Sequence, residues 1–327
     1  MIDVTYIYRE FRETAFSIEG IFDVVRKKLS GTVNDRSFHF DATKSRVRNV
    51  LDIRKLPAGI NHVTGDIYFL TIGLRKSKNV VTIHDLGHYE HLKQFPLKFI
   101  VYHLFWMYLP LRKADVITVV SETTKAHLLK AFGFAKDKVR VVYNPVKPIF
   151  KYSKKETLNT KLRILQVGSG WQKNLNNLIE AVKGTNYHLD IVGLPDAESI
   201  EKMQRFDILH TISSGLTDVQ LYQKYLDCDI LFFASIQEGF GMPIIEAQAV
   251  GRPVITSNVG AMLEVAQDTA VLVEPRNVAQ IRQAIDALAQ DKNYYDLIVE
   301  KGLGNASKYS IEHIADEYLN IYKELAS

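Results

Sequence analysis

Short apolar runs rich in Val, Ile and aromatic residues alternate with helical patterns along nearly the whole chain, and this rhythm limits the fold more than any other feature. Strands separated by helices read as parallel sheets covered by helices, because each crossover must carry the chain back to the same end of the sheet. In the first part the clearest strands are IDVTYIY, NVVTIHDLG, ADVITVVSE and KVRVVYNPV, with helical patterns at Ile18–Leu29, 95–112 and 123–132. Two prolines in Asn144-Pro145-Val146-Lys147-Pro148 then interrupt the rhythm, and the polar stretch KYSKKETLNTK reads as a linker. The second part restarts with strands LRILQVG, YHLDIVG, DILHTIS, DILFFAS, RPVITSN and AVLVEP. Helical patterns at 174–182, Ala197–Arg205, 218–226 and 262–266 separate them, and three helical segments finish the chain. The last of these, 311–325, carries a one-sided apolar stripe. The expectation is α/β: two Rossmann-like domains, 1–147 and 148–310, each a parallel sheet covered by helices.

Doubly wound sheets hold ligands outside the carboxyl ends of their strands, so candidate residues should follow strands, and they do. The stretch from Ala234 onward, ASIQEGFGMPIIEAQAVGRPVITSN, leaves a strand, carries Glu238 and the loop Gly239-Phe240-Gly241, and opens a helix at Met242-Pro243. A helix start favours anions, yet two acids, Glu238 and Glu246, stand beside it. The conflict disappears if the acids accept from neutral hydroxyls of a ligand whose phosphates sit nearby, which describes a sugar nucleotide. Gly168, Ser169 and Lys173 repeat the layout after LRILQVG, where a lysine can reach a diphosphate. A surface lysine is the plain alternative.

His84-Asp85 ends another strand. The histidine either serves a cleft or is a buried ring bonded to Asp85. HDLGHYEH lacks a zinc spacing. The loop REFRETAFS after the first strand contains no glycine, so a dinucleotide fingerprint is absent and a dehydrogenase is disfavoured. Its Arg9 and Arg12 either reach an anionic acceptor or simply face water.

The bulk properties narrow the setting. At 327 residues the chain is long enough for two cores. Its single cysteine, Cys228, rules out an intramolecular disulfide and reads as a half-buried filler. The opening MIDVTYIYREF shows no leader pattern, so a cytoplasmic protein is expected. Residues 1–150 hold 24 Lys and Arg against 14 Asp and Glu, whereas the rest hold 17 against 23. A basic half suggests an anionic partner there: a lipid surface or a lipid-pyrophosphate acceptor ahead of nucleic acid, for which no motif is present. The aromatic run FPLKFIVYHLFWMYLPL is too interrupted to span a bilayer. It is either a packed helix or one that touches a membrane surface.

EGFGMPIIEAQAVGRPVITSN strongly resembles the signature of glycosyltransferase family 4, retaining enzymes of the GT-B fold. TIHDLG, VITVVSE, VVYNPV, VGSGWQKNLNNLIEA and the closing SIEHIADEYLNIY support the resemblance, which covers most of the chain from Val80 onward. It implies two facing domains, with the nucleotide sugar held mainly by the second and the final helix, 311–327, packed back on the first. Glu246 would bind the ribose. Glu238 and the backbone near Gly239, Phe240 and Gly241 would hold the donor sugar. Gly168, Ser169 and Lys173 would meet the diphosphate, with Lys173 neutralising the leaving group. His84 would lie beside the transferred sugar, with Asp85, Arg9 and Arg12 on the acceptor side. No metal or other cofactor is implied. Many members carry Arg where this chain has Ser169, and the first glycine-rich loop is replaced by REFRETAFSIEG. The implied activity is sugar transfer from a nucleoside-diphosphate sugar to a surface polysaccharide, of the lipopolysaccharide kind, or to its lipid carrier. An epimerase or hydrolase of the same fold, or a non-catalytic nucleotide-sugar-binding module, remains open from the residues alone.

Overall fold

Twelve strands form two six-stranded sheets among the described residues, and every paired neighbour is parallel. The computed structural model describes residues 1–9, 18–75 and 77–327. Arg12 and most of the REFRETAFS loop lie outside them. The chain divides into two units, Met1–Pro145 with Ile311–Ser327, and Val146–Ser310.

In the first unit the strands are β1 (Ile2–Tyr8), β2 (Val33–His39), β3 (Ile60–Val63), β4 (Lys78–Ile83), β5 (Val116–Val119) and β6 (Val139–Val141), in the order β2-β1-β3-β4-β5-β6. Successive strand residues face opposite sides. Val4, Tyr6 and Tyr8 accordingly pack with helices Ile18–Leu29 and Ile311–Ala326, while Ile7 joins the core on the other face, with Met107 and Leu111. The final helix is fastened by a buried polar chain. His62 Nδ1 meets the Tyr322 hydroxyl at 2.7 Å, His62 Nε2 meets Thr82 Oγ1 at 2.7 Å, and Thr82 meets Thr118 at 2.6 Å. Burial holds the His62 imidazole neutral, its pKa pushed down to about 3. Arg140 and Glu324 add a two-pronged ion pair at 2.5 Å.

Two strands here carry no clear apolar run. β2 reads VNDRSFH because it is an edge strand, mostly exposed. β3 is four residues long and buries Asn61 and His62, whose polar atoms find partners on neighbouring elements.

The second unit holds β7 (Arg163–Val167), β8 (His188–Val192), β9 (Leu209–Ser213), β10 (Ile230–Phe233), β11 (Val254–Ser257) and β12 (Val271–Val273), ordered β12-β11-β10-β7-β8-β9. β7 and β10 are central and covered on both faces, hence their nearly continuous apolar sequences. Cys228 is fully buried rather than half-buried, and burial pushes its thiol up to about 12.

Candidate functional site

Strand order in the second sheet reverses between β7 and β10, the place where doubly wound sheets open a crevice. The loops leaving these two strands are tied together, since the Ile236 amide donates to the Gln172 carbonyl at 2.8 Å. Buried Gln166 fixes the first loop by donating to the carbonyls of Gly168 and Lys173, both at 3.0 Å. Asn174 adopts the left-handed conformation, and its side-chain amide donates to Ala234 O and Pro275 O.

Gly168 is required by geometry. Its φ of +90° disfavours other residues, and a Cβ there would lie 2.8 Å from Lys173 Cε. The lysine folds over this glycine and over the Phe233 ring, 4.7 Å from its centroid, and donates to Glu238 Oε1 at 2.6 Å. Ser169 turns its side chain toward Gly193, where an added Cβ would meet Oγ at 2.7 Å.

The helices that follow β7 and β10, Leu175–Val182 and Met242–Val250, start without a side-chain cap from their N-cap residues, Asn174 and Gly241. Four other helices of this unit are capped by Asp196, Thr217, Asn277 and Asp291. The two starts at the switch therefore direct uncapped N–H groups and positive dipole ends toward the region beside Lys173. Phe240 is buried against the Tyr309 ring and anchors the glycine loop between Gly239 and Gly241.

Glu246 lies one turn into the second of these helices and is almost wholly buried. It accepts from the Tyr225 hydroxyl at 2.8 Å. Burial raises its pKa to about 7, and the Tyr225 bond and nearby Lys147 pull it down only in part. Lys147 itself pairs with Asp218 at 2.8 Å. Tyr225 and Lys147 carry no sequence signature of a site. One sits inside a helix pattern and the other in the proline-rich junction read as linker.

The first unit contributes a separate group. His84 is buried, and its Nε2 lies 2.8 Å from the Thr64 carbonyl, so Nε2 carries the hydrogen and Nδ1 is an acceptor. Its partner is Thr64, not Asp85, whose carboxylate instead accepts the Gly87 amide at 2.8 Å. Burial lowers the His84 pKa. Arg9 is already engaged, by Glu19 at 2.5 Å and by Asp66 at 3.7 Å. Among the described residues no cluster of three or more His, Cys, Asp or Glu could hold a metal ion, and no helix is long and apolar enough to cross a membrane.

Two family descriptions match adjoining parts of the chain: Glycosyltransferase Family 4 over residues 2–149 and Glycosyl transferases group 1 over 149–303. The chain belongs to the group 1 glycosyltransferases of family 4. Among relatives in this family, the O-antigen chain mannosyltransferase RfbU of Salmonella typhimurium is 30% identical over 68% of this chain and 66% of its own length. O-antigen chain mannosyltransferase B of Escherichia coli is 24% identical, over 77% and 71%. Matches to the first relatives thus span about two thirds of their length, 66%, 62% and 71%. The fold is that of Anabaena HepE, solved in complex with UDP, with a TM-score of 0.79 at 15% identity, covering 99% of this chain and 100% of that one. WaaG, a glycosyltransferase involved in lipopolysaccharide biosynthesis, superposes with a TM-score of 0.71 at 15% identity over 98% and 99%. These likenesses make the two parallel sheets a GT-B pair of Rossmann-like domains.

Proposed function

We propose that this protein is a retaining glycosyltransferase that moves a sugar from a nucleoside-diphosphate sugar to a polysaccharide or lipid-linked glycan. The Lys173–Glu238 pair, set beside two uncapped helix starts at the β7/β10 switch, carries this reading. Relatives named as mannosyltransferases of O-antigen chains support the acceptor class, and HepE, solved with UDP and with UDP-glucose, supports the donor class.

In the transfer, the bond between the anomeric carbon and the phosphate oxygen breaks and the diphosphate leaves with the electron pair. The oxygen of the acceptor hydroxyl forms the new bond. Lys173 and the two helix starts stabilise the charge that grows on the diphosphate, the kind of electrostatic contribution that usually dominates. No metal is assigned to the site. Glu238 and the Gly239–Gly241 backbone receive the donor sugar's hydroxyls, and ionised Glu246 receives the ribose hydroxyls. Attack on the departing face, which gives retention, lets the leaving phosphate oxygen take the acceptor's proton. Neutral His84 then serves as a hydrogen-bond acceptor through Nδ1 toward the transferred sugar, with Asp85, Arg9 and Arg12 on the acceptor side. Work at the inner face of the membrane suits a lipid-carried acceptor and the basic first half.

A thermal-shift screen against UDP-, GDP- and ADP-sugars tests donor binding, since a ligand at 100 times its Kd adds about 2.7 kcal/mol. Product analysis with and without acceptor follows. Glycoside of unchanged anomeric configuration supports the proposal. Free sugar or an epimer as the sole product, or binding without any product, overturns it.

A further inference from the structure

The first unit leaves an apolar stripe uncovered. On the helical stretch from Pro96 to Lys113, Leu97, Ile100, Val101, Leu104 and Phe105 follow i, i+3, i+4, i+7, i+8 spacing and so share one face. All five are exposed, Leu97 at 82% and Ile100 at 61%. The other side of the same stretch already supplies the core, through Phe99, Trp106, Met107 and Leu111. The stretch is therefore apolar on both sides, and only one side is packed. Its last turns are held by a widened segment, His103–Tyr108, ahead of Pro110, which has no N–H to continue regular bonding. Exposed Val47 and Leu51 lie on the neighbouring helix, Arg46–Ile53.

Three cations beside this stripe have no acidic partner among the described residues. Arg46 lies over the Trp106 ring at 4.9 Å, Lys98 over Phe95 at 5.5 Å and Arg112 over Phe134 at 5.5 Å. None of the three forms an ion pair among the described residues. Two acids near it are already occupied: Glu90 by Lys93, and Asp52 by Lys44, Arg48 and Lys55. Apolar side chains without hydrogen-bonding groups, bordered by unpaired cations, match a bilayer surface with anionic headgroups, where the chains enter the acyl boundary and the cations meet phosphates.

We propose that this face docks on an anionic lipid surface. The docking stands on these residues alone. Its purpose, holding the first unit beside a lipid-carried acceptor, rests on the proposed activity.

Sedimentation of the full chain with vesicles tests it, because the readout does not depend on turnover. The protein should pellet with mixed phosphatidylglycerol and phosphatidylcholine vesicles at low salt, much less at high salt, and little with phosphatidylcholine alone. Lys98→Gln with Arg112→Gln should weaken binding about 25-fold, roughly five-fold for each charge removed. Ile100→Glu with Val101→Glu should abolish it while the melting temperature stays unchanged, since both side chains face water. The proposal is overturned if the wild type stays in the supernatant with anionic vesicles at low salt. It is equally overturned if the Glu pair pellets like wild type, or if the wild type forms a lipid-free dimer that the Glu pair loses, which would make a second copy the occupant.

Discussion

Lys173 Nζ and Glu238 Oε1 stand 2.6 Å apart, each on a loop that leaves one of the two central strands of the second sheet. Neither group is deeply buried, so the pair adds little stability by itself. It does hold both side chains in place before a donor arrives. In the proposed transfer a diphosphate then takes over the lysine and sugar hydroxyls take over the carboxylate. Lys173→Ala and Glu238→Ala should each lower kcat by about 10²–10³-fold with little change in thermal melting. The double variant should lose less than the product of the two, because the groups act on one another. Steady-state kinetics on the three variants measures this, and near-normal turnover in both single variants would remove the assignment.

The ribose-binding role proposed for Glu246 would link donor binding to pH. Its native pKa of about 7 lies above the ordinary 4.5 because the carboxyl is buried. The folded protein thus holds a proton between pH 4.5 and 7 that the unfolded chain has released, and stability from this group falls as pH rises through that window. Above pH 7 the fold carries an ionised carboxylate at a cost of about 3 kcal/mol, which is the form that can accept two ribose hydroxyls. Glu246→Gln should therefore melt higher than wild type at pH 8, with the difference vanishing near pH 5, and should bind the nucleotide weakly at every pH. In the wild type, nucleotide affinity should drop about tenfold per pH unit below 7, as expected for one proton that must leave. Calorimetry with the nucleoside diphosphate at several pH values checks the second point. A flat affinity profile from pH 6 to 8 would separate Glu246 from the ribose.

Much of this arrangement was legible in the sequence. Lys173, Glu238 and the glycine loop stand directly after apolar strands, and strand–loop–helix punctuation can be read without a structure. The partners were less visible. Tyr225 reaches Glu246 from a different helix, and Lys147 reaches Asp218 across 71 positions. Such contacts arise from strand order, which alternation alone does not fix. β2 and β3 escaped for related reasons. An edge strand needs no apolar alternation, and His62 and Asn61 satisfy their polarity through residues as distant as Tyr322. The one-sided stripe at 311–325 was plain, whereas the polar chain from His62 to Thr118 beneath it was not.

Gly168 offers a test of positioning separate from charge. An alanine there must accept a φ of +90° and place its Cβ 2.8 Å from Lys173 Cε. The flexible lysine yields before the backbone does, so its ammonium leaves Glu238. Gly168→Ala should lower stability by about 1–2 kcal/mol for the left-handed strain and reduce kcat by a large part of the Lys173→Ala effect. Retention of full kcat together with lower stability would show that the lysine's folded-over position is not needed.

His84 should be neutral above pH 6.5. Burial lowers its pKa, while the Thr64 carbonyl and Asp85 favour the cation without reversing the shift, and Arg9 opposes it. The ordinary value is 6.5, so the stability contributed by the neutral ring is complete above pH 6.5 and is lost as pH falls below it. Nitrogen-15 spectra of the imidazole should show hydrogen on Nε2 and a bare Nδ1 at pH 8, with any titration centred below the ordinary 6.5. His84→Gln should reduce turnover by removing the Nδ1 acceptor but should leave the acid limb near pH 7 in place, because that limb belongs to Glu246. A ring that titrates with a midpoint above 6.5, or loss of the limb in His84→Gln, would make His84 a proton carrier and overturn the neutral-acceptor role.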